Sequence, residues 1–126
     1  MTAAPGLLLI DPDPIERDRL RRELEAHGWR VSVAEDAATA VRLCEERPAE
    51  FRAAVVDLQL PGLQGVRVLA GLGAVAPGLT RVAMSAGLAP YSVAAFRRLT
   101  RTPLLAKPVR AADLDAVLRE PATASV

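Results

Sequence analysis

Four polar residues stand where short apolar runs end, and their side chains could together carry out phosphoryl chemistry: Asp11, Asp57, Ser85 and Lys107. The two carboxylates could hold Mg²⁺, a hard cation that prefers oxygen ligands and keeps several waters. Beside such a cation Asp57 could accept a phosphoryl group, whose remaining oxygens the hydroxyl and the ammonium could bind. The chemistry indicated is attack by a carboxylate on phosphorus, which gives an aspartyl phosphate.

The elements that must position these residues are apolar runs alternating with helical segments. Five runs are typical of strands buried in a parallel sheet: 7–10, 31–34, 53–56, 81–84 and 104–106. Five helices are predicted over about 14–27, 36–47, a segment following Gly62, 90–99 and 111–119. This alternation predicts a doubly wound α/β fold, with a five-stranded parallel sheet and helices on both faces. Sites in such folds form at the carboxyl ends of the strands, where the four polar residues lie.

The first predicted helix has clear start and stop signals. Asp13 is placed to cap it, Pro14 takes its first position, and Gly28 follows its end. Asp36 can cap the second helix in the same way. Asp13 is therefore interpreted mainly as a cap, and as a metal ligand only in second place.

Composition restricts the classes of protein that this chain can belong to. It has 126 residues, 51% of them hydrophobic, which predicts one folded domain with a core over about residues 6–120 and frayed ends. The net charge of +1 gives no general attraction to nucleic acid or to anionic membranes. A single cysteine, Cys44, excludes a disulfide within the chain, and no apolar run is long enough for a signal peptide or a membrane span. We expect a cytoplasmic protein.

The sequence resembles the receiver domain of bacterial two-component response regulators. Most specific is the block from Asp57 to Gly65, an aspartate followed after two residues by Leu-Pro-Gly and after two more by Gly. The Lys107-Pro108 pair follows at the expected separation. The other matching stretches, in the same order along the chain, are 8–14 and 84–86.

The resemblance implies a fold and a set of residue roles. The fold would be flavodoxin-like with strand order 2-1-3-4-5, and the protein would be a signalling module and not an enzyme. Asp57 would be the phosphoacceptor, with Ser85 and Lys107 binding the phosphoryl group. Asp11, Asp57 and the backbone carbonyl of Gln59 would hold Mg²⁺. A cis peptide bond would precede Pro108.

Two departures from the family pattern bear on activity. The second of two adjacent acids after the first strand is replaced by Pro12, which has no side-chain oxygen for a metal, so we expect weaker Mg²⁺ binding. The aromatic residue that usually stands three positions before the lysine is Leu104, which cannot make the usual rotamer signal. A divergent receiver that binds partners without phosphorylation therefore remains an alternative.

The resemblance also implies partners. A histidine kinase or phosphotransfer protein would donate the phosphoryl group, and a downstream protein would bind the face formed by Tyr91–Arg101 and Ala111–Arg119. A homodimer is possible, and no direct contact with nucleic acid or membrane is expected.

A more remote alternative is an enzyme. Asp11 and Asp13 resemble the Asp-x-Asp motif of haloacid dehalogenase-type phosphatases, with Asp11 as nucleophile and Asp13 as acid. That family also needs a pair of metal-binding acids after its lysine, for which only Asp113 and Asp115 are available, inside a predicted helix.

Overall fold

A computed structural model of the chain describes residues 3–60, 64–87 and 93–120. The helix start expected near Pro90, Tyr91 of the expected partner face, the Pro61-Gly62 break and the segment beyond residue 120 lie outside these ranges. The strands are β1 (Gly6–Ile10), β2 (Arg30–Ala34), β3 (Ala53–Asp57), β4 (Thr80–Ser85) and β5 (Leu104–Ala106). The helices are α1 (Pro14–Ala26), α2 (Ala37–Glu46), α3 (Gln64–Val75), α4 (Val93–Thr100) and α5 (Ala111–Leu118).

The five strands form one parallel sheet in the order β2-β1-β3-β4-β5. This confirms the flavodoxin-like topology and the alternation of strands and helices. The register pairs Asp57 with Met84, and Ser85 with Ala106. The carboxyl ends of β3, β4 and β5 therefore meet at one edge of the sheet, as expected for parallel strands.

The core lies on both faces of the sheet, because successive strand side chains point to opposite sides. Leu8 and Ile10 of β1 pack in the cluster that includes buried residues of α2, α3 and α4. Leu7 and Leu9 pack in the cluster that includes buried residues of α1 and α5. Every residue of β1 and β3 is buried, which explains why these strands are continuous apolar runs until the site is reached.

The ends of α1 and the start of α2 confirm the predicted capping signals. The Asp13 carboxylate accepts hydrogen bonds from the backbone N–H groups of Ile15 and Glu16. Beyond α1, Gly28 has a φ of 97°, a left-handed conformation that a glycine adopts without steric cost. The Asp36 carboxylate accepts a hydrogen bond from Thr39 N–H, which lowers the pKa of Asp36.

Helices α1 and α5 are joined by a cluster around Trp29, which is 2% exposed. The indole N–H of Trp29 donates to Asp115 Oδ1 at 2.7 Å. The guanidinium of Arg119 lies 4.9 Å from the centroid of the Trp29 ring and donates to the carbonyl of His27. These contacts tie the end of α1 to the end of α5.

Small differences separate the predicted elements from those observed. Strands β1, β2 and β4 each begin one residue before the predicted start. A short 3₁₀ helix (Pro48–Glu50) follows α2, where only a helix stop was expected. Residues 4 and 5, expected in a frayed end, accept hydrogen bonds from Arg30. Among the described segments, no helix combines the length and the apolar character needed to cross a bilayer.

Candidate functional site

Three of the four predicted site residues meet in one buried cluster at the sheet edge. The ammonium of Lys107 donates to Asp57 Oδ2 at 2.6 Å and to Asp11 Oδ2 at 3.2 Å. Asp11 follows β1, Asp57 ends β3 and Lys107 follows β5, so side chains up to 96 positions apart are brought together. Asp11 is 0% and Asp57 2% exposed. Two buried carboxylates thus share one cation.

Backbone groups fix the other oxygen of each carboxylate. Asp13 N–H donates to Asp11 Oδ1 at 2.9 Å, and Gln59 N–H donates to Asp57 Oδ1 at 2.8 Å. The Arg17 guanidinium donates to the main-chain carbonyl of Asp11 at 2.8 Å, which ties α1 to the end of β1. Each carboxylate is therefore held in a defined orientation by a backbone donor on one side and Lys107 on the other.

The ionisation of this cluster follows from its burial and its charge balance. Burial raises the pKa of Asp11, and the Asp13 N–H and the Lys107 ammonium offset that rise only in part, while the Asp57 charge adds to it. Burial alone would lower the pKa of Lys107. The Asp57 hydrogen bond and the charges of Asp57 and Asp11 outweigh it, so the pKa of Lys107 is raised. Lys107 stays cationic at neutral pH, and the cluster has one carboxylate in excess when both are ionised.

Ser85 lies at the same edge but is not bonded to the carboxylates in this structure. It is buried at the end of β4, and its hydroxyl donates to the carbonyl of Gly87. The main-chain N–H of Lys107 donates to the Ser85 carbonyl at 2.9 Å, so the loops after β4 and β5 are linked. The sequence-based prediction placed Ser85 at the right strand end, and the structure shows its hydroxyl turned toward its own loop.

A cleft of about 460 Å³ opens beside the cluster and contains both acidic and cationic groups. Asp57 and Lys107 line it, together with Ala86, Gln59 and residues at and just before the first turn of α1. The lining residues are Pro12, Asp13, Glu16, Asp57, Gln59, Ala86, Lys107 and Pro108. Asp57 is almost fully buried but borders this cleft, so a small anionic group that enters the cleft would lie next to it.

Two side chains at this cleft make contacts that were not predicted from the sequence. Gln59 was expected to act only through its backbone carbonyl, but its side-chain oxygen accepts a hydrogen bond from Ala86 N–H at 3.2 Å. Glu16 lines the cleft and pairs with Arg19, whose hydrogen bond lowers the pKa of Glu16. The Glu16–Arg19 pair lies within one helix at a spacing of three residues, so local sequence could have indicated it. The Gln59 contact could not be found in this way, because it depends on how two loops pack.

The first turn of α3 is packed directly against the end of β3. A Cβ added to Gly65 would lie 2.6 Å from Leu58 Cα and 3.0 Å from the Asp57 carbonyl oxygen. Only a residue without a side chain fits there, which accounts for the glycine that closes the central motif. On the other side of the cleft, the expected cis peptide bond joins Lys107 and Pro108.

The donor groups near Asp57 fit a hard cation with few side-chain ligands. Asp11 and Asp57 supply carboxylate oxygens, and Pro12 supplies none. Asp13 is engaged as the cap of α1. Over the described ranges, no group of three His, Cys, Asp or Glu side chains is arranged to hold a metal. The residues present fit a Mg²⁺ ion held by two carboxylates, a backbone carbonyl such as that of Gln59, and water.

Comparison with known proteins agrees with the geometry. The family model described as response regulator receiver domain matches residues 7–119. Among curated proteins, the sensor histidine kinase AruS of Pseudomonas aeruginosa is 32% identical over 125 residues, which cover 96% of this chain and 12% of that protein. The photosynthetic apparatus regulatory protein RegA of Rhodovulum sulfidophilum is 32% identical, with 90% of this chain and 61% of that protein covered. The chain thus spans less than two thirds of these relatives.

A solved structure extends the likeness to three dimensions. The crystal structure of a response regulator protein from Burkholderia pseudomallei, with a phosphorylated aspartic acid, calcium ion and citrate, superposes with a TM-score of 0.78. It is 26% identical in sequence, and the match covers 94% of this chain and 68% of that one. The fold is therefore shared with a protein whose crystal structure contains a phosphorylated aspartic acid.

Proposed function

Since the chain belongs to the response regulator receiver domains of two-component signalling, we propose that it accepts a phosphoryl group on Asp57 and thereby switches a protein-binding surface. The observation that carries this proposal is the Asp11–Asp57–Lys107 cluster beside an open cleft. Receiver domains act as signalling modules and not as catalytic enzymes.

Each residue of the cluster has a distinct part in the proposed transfer. A carboxylate oxygen of Asp57 attacks the phosphorus as the bond from phosphorus to the donor's leaving atom breaks. Lys107, now bonded to Asp57 Oδ2, pairs with an oxygen of the transferred group. Ser85 exchanges its bond to the Gly87 carbonyl for one to the phosphoryl group, which would carry the signal into the loop after β4. Bound Mg²⁺ supplies positive charge that offsets the negative charge of the incoming group.

The proposed partners follow from this reaction. A histidine kinase or a phosphotransfer protein would supply the phosphoryl group, and one relative of this chain is itself named a sensor histidine kinase. A downstream protein would bind the face that includes α4 and α5. A cytoplasmic location, where such donors act, completes the proposal.

The proposal is tested by incubating the protein with acetyl phosphate and Mg²⁺ and weighing it intact. We expect a species heavier by about 80 Da, the mass of one phosphoryl group. Asp57→Asn should abolish it, because an amide is not nucleophilic enough to attack. Absence of the adduct at saturating acetyl phosphate and Mg²⁺, or an adduct that persists in Asp57→Asn, would overturn the proposal.

The divergent receiver is the second candidate, and Pro12 is the observation that favours it. With two carboxylates in place of three acids, we propose that this chain binds Mg²⁺ more weakly than a receiver with an acid at position 12. Pro12→Asp should raise Mg²⁺ affinity, measured by calorimetric titration, by about tenfold, or about 1.4 kcal/mol. Pro12→Ala is the matched control, because it removes the proline ring without adding an oxygen. If Pro12→Asp and Pro12→Ala behave alike, position 12 does not limit metal binding.

The phosphatase alternative is not supported by the arrangement of the acids. The Asp13 carboxylate is occupied as the cap of α1. Asp115 accepts hydrogen bonds from Trp29 and Arg119, at the seam between α1 and α5. Neither Asp113 nor Asp115 lines the cleft beside Asp57. The second pair of acids that the enzyme would need at the site is therefore not provided by these residues.

A further inference from the structure

Charge is distributed unevenly along this chain, although its net charge is only +1. No Asp or Glu occurs between Asp57 and Asp113, a stretch that carries six arginines and Lys107. This stretch builds α3, β4, α4 and β5, which places the excess of cations toward the β5 edge of the sheet. Most of the acidic residues lie at or before Asp57 in the sequence, in the half of the fold that ends at the β2 edge.

Helix α4 concentrates this excess on its exposed side. Phe96 is 1% exposed and packs in the core cluster, which fixes the inward side of the helix. Arg97 and Arg98, the next two residues, are exposed. Neither Arg97 nor Arg98 forms an ion pair with an acid of the described ranges, and the remaining segments of the chain contain no Asp or Glu.

The helix dipole offsets only a small part of the positive charge on α4. Arg97 and Arg98 lie in the last turn of α4, where the partial negative charge of the helix end favours cations. That partial charge amounts to about half an elementary charge. The two guanidinium groups of Arg97 and Arg98 carry about four times that charge. The exposed face of α4 therefore retains a net positive charge that the protein itself does not neutralise.

We propose that this face of α4, with Arg97 and Arg98, docks an acidic polypeptide segment of a partner protein. The inference rests on the proposed function, in which a downstream protein binds a face that includes α4, and it adds the chemistry of that partner. Guanidinium groups form paired hydrogen bonds with carboxylates, so neighbouring Asp or Glu side chains would match these arginines. Nucleic acid is the less favoured occupant, since a protein that makes about 6–10 phosphate contacts needs several cations and this face offers two.

The test is the binding of a fluorescein-labelled oligo-glutamate peptide, followed by anisotropy, to the wild-type chain and two charge-matched variants. In Arg97→Gln/Arg98→Gln we expect about tenfold weaker binding, equivalent to about 1.4 kcal/mol. Arg21→Gln/Arg22→Gln removes the same charge from adjacent positions of α1, where both arginines are paired with acids. This control should bind the peptide as wild type does. Raising the salt to about 0.15 M should weaken the wild-type complex.

Three results would overturn the inference. The first is an equal loss of peptide affinity in both variants, and the second is tighter binding of a DNA duplex than of oligo-glutamate at the same salt. The third is self-association of the wild-type chain, measured by sedimentation, that Arg97→Gln/Arg98→Gln abolishes. The last result would make a second copy of the chain the occupant. The phosphoryl adduct at Asp57 is measured on the same samples. An adduct in Arg97→Gln/Arg98→Gln together with no loss of peptide binding would reject the docking surface alone and leave the proposed function intact.

Discussion

Helices α1 and α4 both carry adjacent arginines, but only those of α1 are paired with acids of their own helix. On α1, Arg19 pairs with Glu16 and Glu23, and Arg21 pairs with Asp18 and Glu25, at spacings of three and four residues. On α4 no acid is available at any spacing. Ion pairs within a helix stabilise that helix, whereas charged side chains without such pairs remain available to bind a partner. The difference separates a helix that supports the site from one that presents a surface.

The buried site resembles α1 in this respect, because its cation is fully engaged by acids. Lys107 is bonded to both carboxylates, and each carboxylate has a backbone donor as well. Charges of this kind contribute to stability and to the pH dependence of folding. Those on α4 should contribute to binding and leave folding almost unchanged.

The largest effect is expected from removing the Lys107 ammonium, which both carboxylates share. Lys107→Met leaves two buried carboxylates without a counter-ion, which should lower the free energy of unfolding at pH 7 by about 3 kcal/mol. The deficit should shrink as the pH falls, because protonation of one carboxyl group relieves the repulsion. Urea unfolding at pH 7 and pH 5 measures both effects. A loss of under about 1 kcal/mol at pH 7 would show that the carboxylates do not depend on Lys107.

Removing one of the two acids should instead raise the free energy of unfolding. Because the folded-state pKa of Asp11 lies above its ordinary value of 3.8, the ionised form costs stability at neutral pH. Asp11→Asn should therefore raise the free energy of unfolding at pH 7. The gain should disappear as the pH falls below the ordinary value, where Asp11 is protonated in both states. Urea titrations across this range check it, and destabilisation by Asp11→Asn at pH 7 would contradict the charge balance described for the cluster.

The role of Asp13 can be separated into its two possible parts. Asp13→Ala removes the cap of α1 and should lower the free energy of unfolding by about 1 kcal/mol. Asp13→Ser keeps a capping oxygen but removes the carboxylate, so its stability should stay close to that of wild type. Mg²⁺ affinity, measured by calorimetry, should be the same in Asp13→Ser and wild type. A clear loss of affinity in Asp13→Ser would mean that Asp13 binds the metal as well as capping the helix.

The smallest effects are expected on the two arginine pairs, and here the comparison between the helices is direct. Arg21→Gln/Arg22→Gln removes ion pairs from α1 and should lower the melting temperature slightly, with the difference erased by high salt. Arg97→Gln/Arg98→Gln removes no ion pair and relieves repulsion between neighbours, so its melting temperature should not fall. Calorimetric melting at low and high salt measures both variants. A larger loss in the α4 variant would show that its arginines stabilise the fold.

How far the sequence predicts this molecule depends on the range of each interaction. The meeting of Asp11, Asp57 and Lys107 was predictable, because apolar runs mark the strands and parallel strands bring their carboxyl ends to one edge. Asp13 was predictable as a cap from three residues of local sequence. The bond from Ala86 N–H to the Gln59 side chain was not, since it depends on the packing of two loops that the sequence places 27 residues apart.

The charge pattern could likewise not be interpreted from the sequence alone. The absence of acids between Asp57 and Asp113 is visible in the sequence, but its meaning depends on topology. Only the strand order places β5 at an edge, with α4 packed against it, away from the acids of α1 and α2. The strand order itself was expected from the family resemblance and not from periodicity, because alternating strands and helices are compatible with several orders.

Trp29 lies where its fluorescence can report on the contact between α1 and α5. It is the one tryptophan of the chain, and it is buried between Asp115 and Arg119 where α1 meets α5. Its emission should therefore follow the seam between these helices and remain constant when events are confined to α4. A change in emission on phosphorylation would reveal that the switch extends across the sheet to its other face.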